Sequence, residues 1–94
     1  MKLIIGIIQD EYINKLLRVL MEKRVRTTKL ASSGGFLKSG STTLLMGVKE
    51  EEKEEVIDLI RSICTSTKHE KDGQEVVVGG ANLFILDVDQ FVRL

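Results

Sequence analysis

The residues with most chemical potential lie between Thr28 and Thr43, in TKLASSGGFLKSGSTT. Gly35 to Thr42 nearly fits the phosphate-loop pattern G-x-x-x-x-G-K-[ST], in which backbone N–H groups and a lysine cradle a nucleoside triphosphate. Two features argue against that use. Ser41 stands where the phosphate-gripping lysine belongs. The residues that follow alternate like a strand, whereas a phosphate loop opens a helix whose N-terminus holds the anion. The glycines Gly34, Gly35 and Gly40 then read as turn formers of a long hairpin connection. Turn chemistry does not explain Phe36 and Leu37 at the apex, which need cover from a ligand, a second subunit or another partner.

Arg26 and Thr28 fall two residues apart, so they share one face of the strand entering this hairpin. A cation and a hydroxyl donor placed there suit a phosphate or a base edge. The remaining reactive residues are isolated. His69 stands in a polar stretch with no cysteine or carboxylate cluster at metal-ligand spacing, so no metal site is expected. Cys64 closes an apolar helical run with no histidine beside it to activate the thiol, and reads as a core residue. Nucleophile-elbow and zinc-protease motifs are absent, as are paired carboxylates in an apolar setting. No catalytic residue is assigned, and the chain is expected not to be an enzyme.

Acids and bases balance over the 94 residues, giving a formal net charge of zero. That excludes bulk electrostatic attraction to DNA, RNA or an anionic membrane. Charge is unevenly placed. Bases cluster from Lys23 to Lys38, and acids from Glu50 to Asp58, the latter reading as a solvated helix face. A lone cysteine gives no internal disulfide. The opening apolar run is too short for a membrane span or a signal peptide. A cytoplasmic protein without membrane insertion, forming one domain over residues 1–94, is expected.

The elements that must position these residues follow from periodicity. Lys2–Ile8 predicts a strand. Glu11–Lys23 predicts an amphipathic helix with Ile13, Leu16, Leu17, Leu20 and Met21 on its apolar stripe and Asp10 as its cap. Val25–Ser32 and Ser41–Val48 predict two further strands, and Glu50–Cys64 a second helix. Thr65–Gly73 reads as a loop, Gln74–Val78 as a short strand, Gly79-Gly80 as a turn or bulge, Asn82–Val88 as the last main strand and Asp89–Leu94 as a tail. KLIIGII at Lys2 and TLLMGVK at Thr43 repeat one pattern, and each leads into an acid-led helix and then a strand. Strand–helix–strand written twice predicts an α+β, ferredoxin-like βαββαβ sandwich: a four-stranded antiparallel sheet with two helices on one face. Yet Leu3, Ile5 and Ile7 are apolar opposite Ile4 and Ile8, and Phe84, Leu86 and Val88 oppose Leu83 and Ile85. Helices on one face leave the other set bare, so an obligate homo-oligomer with inward-facing sheets is expected.

The runs TKLASSGGFLKSGSTTLLMGV, MKLIIGIIQD and VVVGGANLFILDVDQF together resemble the PII-like cyclic di-AMP receptor proteins, over most of the chain. The resemblance implies a ferredoxin-like fold assembled as a homotrimer, a signalling role, and cyclic di-AMP bound in clefts between subunits. It implies no catalysis and no other cofactor. By matching position, Arg26 and Thr28 would lie at the ligand. Gly35, Phe36 and Leu37 belong to the hairpin, with Phe36 and Leu37 packing on an adenine. Gly47 would let the ligand approach the backbone, and Phe84 would line the adenine pocket from the neighbouring subunit. Ser41 stands where such receptors usually carry asparagine, and Arg93 where glutamine is common. The stretch from Ser66 to Gln74 is shorter than the loop those receptors carry there. The other reading is a trimeric regulator that acts on an unidentified protein target, a transporter or an enzyme, without binding cyclic di-AMP.

Overall fold

The computed structural model describes residues 1–30, 40–65 and 80–94 in full, and the backbone of 67–71 and 74–78. Its elements are β1 (Lys2–Gln9), α1 (Asp10–Glu22), β2 (Arg26–Leu30), β3 (Ser41–Val48), α2 (Lys53–Ile63) preceded by a 3-10 turn at Glu50–Glu52, β4 (Thr67–Lys71), β5 (Gln74–Val78) and β6 (Ala81–Asp87). The main sheet has the order β2-β3-β1-β6 with every neighbouring pair antiparallel. This is the interleaving that two strand–helix–strand units make when their strands share one sheet.

Alternation along β1 divides the core from the open face. Ile4 and Ile8 are fully buried and Gly6 is buried, whereas Leu3, Ile5 and Ile7 are only half-buried. β3 follows the same rule, with Leu44, Met46 and Val48 buried and Leu45 and Gly47 half-buried. The helices supply the other half of the core. Ile13, Leu16 and Leu20 recur at three- and four-residue spacing on α1, and Val56 and Ile60 on α2. Each large side chain buried in this way contributes about 1.5–3 kcal/mol.

Both helix boundaries differ from expectation for local reasons. α1 starts at Asp10 itself, with Gln9 as the N-cap residue. The Asp10 carboxylate does not cap; it accepts a 2.7 Å hydrogen bond from the Thr42 hydroxyl and ties the helix start to β3. α1 ends in a Schellman turn: Arg24 N–H bonds the Met21 carbonyl, Val25 N–H bonds the Leu20 carbonyl, and Arg24 has φ 60°. The second helical segment opens as a 3-10 turn where the Glu52 carboxylate accepts the Lys49 N–H at 3.3 Å, and continues as α2. The stretch expected to be a loop from Thr65 contains a strand. β4 pairs with β5 in register from Thr67↔Val78 to Lys71↔Gln74. The polar run TKHEK lacks the alternation of apolar and polar residues that marks a strand in the sequence, and it pairs only with β5, apart from the main sheet.

The start of α1 is a junction for both units. Asp10 N–H donates to the Gly40 carbonyl at 2.9 Å and Gln9 N–H to the Gly80 carbonyl at 3.1 Å. Gly40, just before β3, has φ +85°, as expected of a turn residue. Gly80 is required for a different reason. A Cβ there would stand 2.5 Å from the Thr65 carbonyl oxygen and 2.8 Å from the carbonyl carbon of Cys64. The chain leaving α2 is pressed against the entrance of β6, and Tyr12 holds it there through a 2.9 Å bond to the Thr65 carbonyl. Gly79 lies outside the described residues.

Two stability measurements check these readings. Gly80→Ala must push backbone from backbone and is expected to cost about 1–3 kcal/mol in a urea titration, as overpacking does. Arg24→Gly relieves a left-handed residue worth about 1–2 kcal/mol but frees the unfolded chain by about 0.4–1 kcal/mol, so a net gain of about 0.5–1 kcal/mol is expected. A midpoint raised by a few degrees in a thermal melt would register it.

Candidate functional site

The open face of the sheet gathers the residues singled out in the sequence into cross-strand rows. Register places Arg26 opposite Gly47, and Gly47 opposite Leu3. The next row runs Thr28, Leu45, Ile5, Phe84 across all four strands. Arg26, Thr28, Gly47 and Phe84 therefore share one face. Thr28 and Phe84 occupy its opposite edges, three strand spacings or about 14 Å apart. Ser41 is half-buried and pairs with Gln9. It lies on the same face by alternation but four residues along β3 from Leu45, about 13 Å away. Gly35, Phe36 and Leu37 lie outside the described residues.

A pocket of about 240 Å³ opens at the Arg26 end of this face. Its floor is Leu3, Leu45 and Gly47, and Arg26 and Thr28 form its β2 side. Gly47 makes the trough. A Cβ built there would meet nothing closer than the Met1 side-chain methyl at 3.6 Å, so the position has room for a side chain and leaves it empty. Met1, Lys2, Val88 and Phe91 close the opposite side. Val88 is held by its N–H to the Met1 carbonyl at 3.1 Å. The chain then carries Phe91 to β2, where its ring centroid lies 5.4 Å from the Arg26 guanidinium carbon. Arg93 is exposed in this tail and does not line the pocket.

Two cationic side chains line the pocket, and they differ in availability. The Lys2 ammonium donates to the Asp87 carboxylate and lies 3.4 Å from Glu50. The hydrogen bond to Asp87 raises the Lys2 pKa, against a smaller opposing effect of desolvation. The same bond holds the Asp87 carboxyl below the usual carboxylate range. Among the described residues no carboxylate pairs with Arg26, so its guanidinium is the cation left for an anionic ligand. The rest of the lining is mostly apolar, as in pockets that hold planar rings. Cys64 is buried in the core, and burial pushes its thiol pKa up, the opposite of an activated nucleophile. His69 sits in β4, whose side chains are outside the described set. No helix among the described residues is long and apolar enough to cross a membrane.

The pocket lining includes Arg26 and Thr28, which the sequence singles out by their shared strand face, and Gly47, which the resemblance adds; in the segment Asp89–Leu94 the sequence reading singles out Arg93 and not Phe91. The missed signal was Phe91, an aromatic in a segment past the last strand with no core of its own to enter. Comparison with known proteins agrees with the architecture. A model of the cyclic-di-AMP receptor family matches residues 1–70. A crystal structure of a functionally unknown protein from Pediococcus pentosaceus ATCC 25745 is 40% identical, with a TM-score of 0.78 over 99% of this chain and 96% of that one.

The Lys2–Asp87 pair has a pH signature. The folded-state pKa of Asp87 is depressed, so its contribution is complete above the unfolded carboxylate value of about 3.9 and is lost as pH falls through the folded value. Denaturant titrations should find wild type more stable than Asp87→Asn at about pH 6, with the gap narrowing as pH falls below the unfolded carboxylate value of about 3.9. A gap independent of pH would assign the difference to packing.

Proposed function

The chain belongs to the cyclic-di-AMP receptor family, and from that premise we propose that it is a non-enzymatic signalling receptor that binds cyclic di-AMP in clefts between subunits of a homotrimer. The observation that carries this reading is the convergence of Arg26, Thr28 and Gly47 on one pocket whose floor is apolar and whose cationic side chain without a carboxylate partner, among the described residues, is Arg26. Each part has a use in recognising a nucleotide. The guanidinium takes phosphate, the hydroxyl of Thr28 takes a phosphate or base edge, and the missing Cβ of Gly47 admits the ligand to the backbone of β3.

The pocket of one chain is too small to enclose such a ligand. Its 240 Å³ falls below the roughly 300–1,000 Å³ usual for small-molecule sites. The open face also leaves Phe84 55% and Leu86 48% exposed beside half-buried Leu3 and Ile5. A second subunit laid on this face would cover the apolar rows and complete the pocket. Phe84 lies at the far edge from Thr28, which supports its serving a neighbour's cleft rather than its own. Gly35, Phe36 and Leu37 of the hairpin would close over an adenine, and Ser41 and Arg93 are assigned to the ligand by matching position alone. The acting unit is one domain over residues 1–94, working in the cytoplasm on a protein target that the pocket does not identify.

Calorimetry with cyclic di-AMP, ATP and AMP tests the reading, with light scattering on the same sample. The expected species has three times the 10.5 kDa chain mass and takes up cyclic di-AMP in preference to the other two. Thr28→Ala is expected to cost about 1–3 kcal/mol of binding through a lost buried hydrogen bond. Gly47→Ala is expected to fold normally and to bind poorly, because its methyl group has room in the free protein and occupies the trough. A folded monomer, or no heat with any of the three nucleotides, would count against the reading and favour a regulator that works through protein contacts alone.

A further inference from the structure

We propose that the C-terminal tail is part of the binding site and that Phe91 positions Arg26 for an anionic ligand. The inference rests on the nucleotide reading above and adds a residue and a coupling to it. Arg26 lies on β2, at an edge of the sheet, and is exposed. A long cationic side chain in that position samples many rotamers, and holding it for a ligand costs entropy. The one ring that meets it among the described residues is Phe91, 5.4 Å from the guanidinium carbon.

The geometry lets Phe91 and a phosphate use Arg26 together. The guanidinium carbon lies over the Phe91 ring, and a phenyl ring brings no carboxylate or carbonyl oxygen to occupy the N–H donors. The contact with Phe91 therefore restricts the side chain without consuming its hydrogen bonds. Lys2 cannot take this part, because Asp87 and Glu50 already hold it.

The dependence runs both ways. Beyond Val88 the chain has no regular secondary structure, and among the described residues its last six make no hydrogen bond. Phe91 on Arg26 is the contact that brings this segment over the pocket. If Phe91 favours the ligand by ordering Arg26, the ligand must favour the seated tail by the same factor. Occupancy of the cleft is thereby written into the order of a surface segment that carries Val92 and Leu94, both exposed.

The test compares Phe91→Leu, which keeps an apolar wall but removes the ring, with Phe91→Tyr, which keeps the ring. Affinity for cyclic di-AMP is measured by calorimetry, and the order of the Arg26 side chain and of the tail amides by 15N relaxation. Phe91→Leu is expected to weaken binding about three- to tenfold, as loss of a cation–π contact would. It should also loosen the Arg26 Nε–H in the free protein, and Phe91→Tyr should restore both. Saturating cyclic di-AMP should stiffen the tail amides in wild type and not in Phe91→Leu. If wild type binds while Phe91→Leu binds equally well with an equally ordered Arg26, the positioning role is overturned and the nucleotide reading stands. If wild type binds no cyclic di-AMP, the nucleotide reading fails and this inference falls with it.

Discussion

The structure turns on β1 having apolar side chains on both faces while the helices cover only one. β1 lies inside the sheet between β3 and β6, so its backbone is fully paired and its side chains decide what each face meets. Ile4 and Ile8 draw α1 and α2 onto one side, and that side becomes the core. Leu3, Ile5 and Ile7 leave the other side apolar but uncovered. The pocket is a consequence of that imbalance. It forms where the uncovered face is interrupted at Gly47 and bordered by β2, which brings both a cation and a hydroxyl, Arg26 and Thr28.

The fold was legible because its main elements are encoded locally. β3 was expected at Ser41–Val48 and is found there. α1, α2 and β6 differ by a residue or a few at their ends, where capping competes with periodicity. Asp10 shows the limit: as a residue type it is a good cap, but the Thr42 hydroxyl, distant in sequence, holds its carboxylate instead. Gly80 shows the same limit from the other direction. Its place before a strand suggests a turn, whereas the cause is the backbone of Cys64 and Thr65 pressed against it. β4 is not legible in the sequence because TKHEK has no apolar alternation to announce a strand.

The site was legible in part, for a related reason. Arg26 and Thr28 lie on a strand whose alternation fixes which way each residue faces, so their shared face could be read from spacing, whereas Gly47 was implied by the family resemblance alone. Phe91 and Val88 reach the pocket through a segment with no regular structure, and nothing periodic in the sequence says where such a segment goes. Lys2 is misleading in the opposite sense. Its partners Asp87 and Glu50 are distant in sequence, and only the fold brings them to it.

Pairing of Lys2 and freedom of Arg26 together give the pocket a direction. With both cations free, an anion could settle at either side. With Lys2 neutralised at one end of β1, the remaining positive charge lies at the β2 edge, beside Thr28 and under Phe91. An anionic group is thereby drawn to that edge, and the apolar part of the same ligand is left to the floor formed by Leu3 and Leu45 and to whatever covers the open face. A molecule that carries both phosphate and planar rings satisfies the two demands at once. A simple anion satisfies only the first, and an apolar peptide only the second.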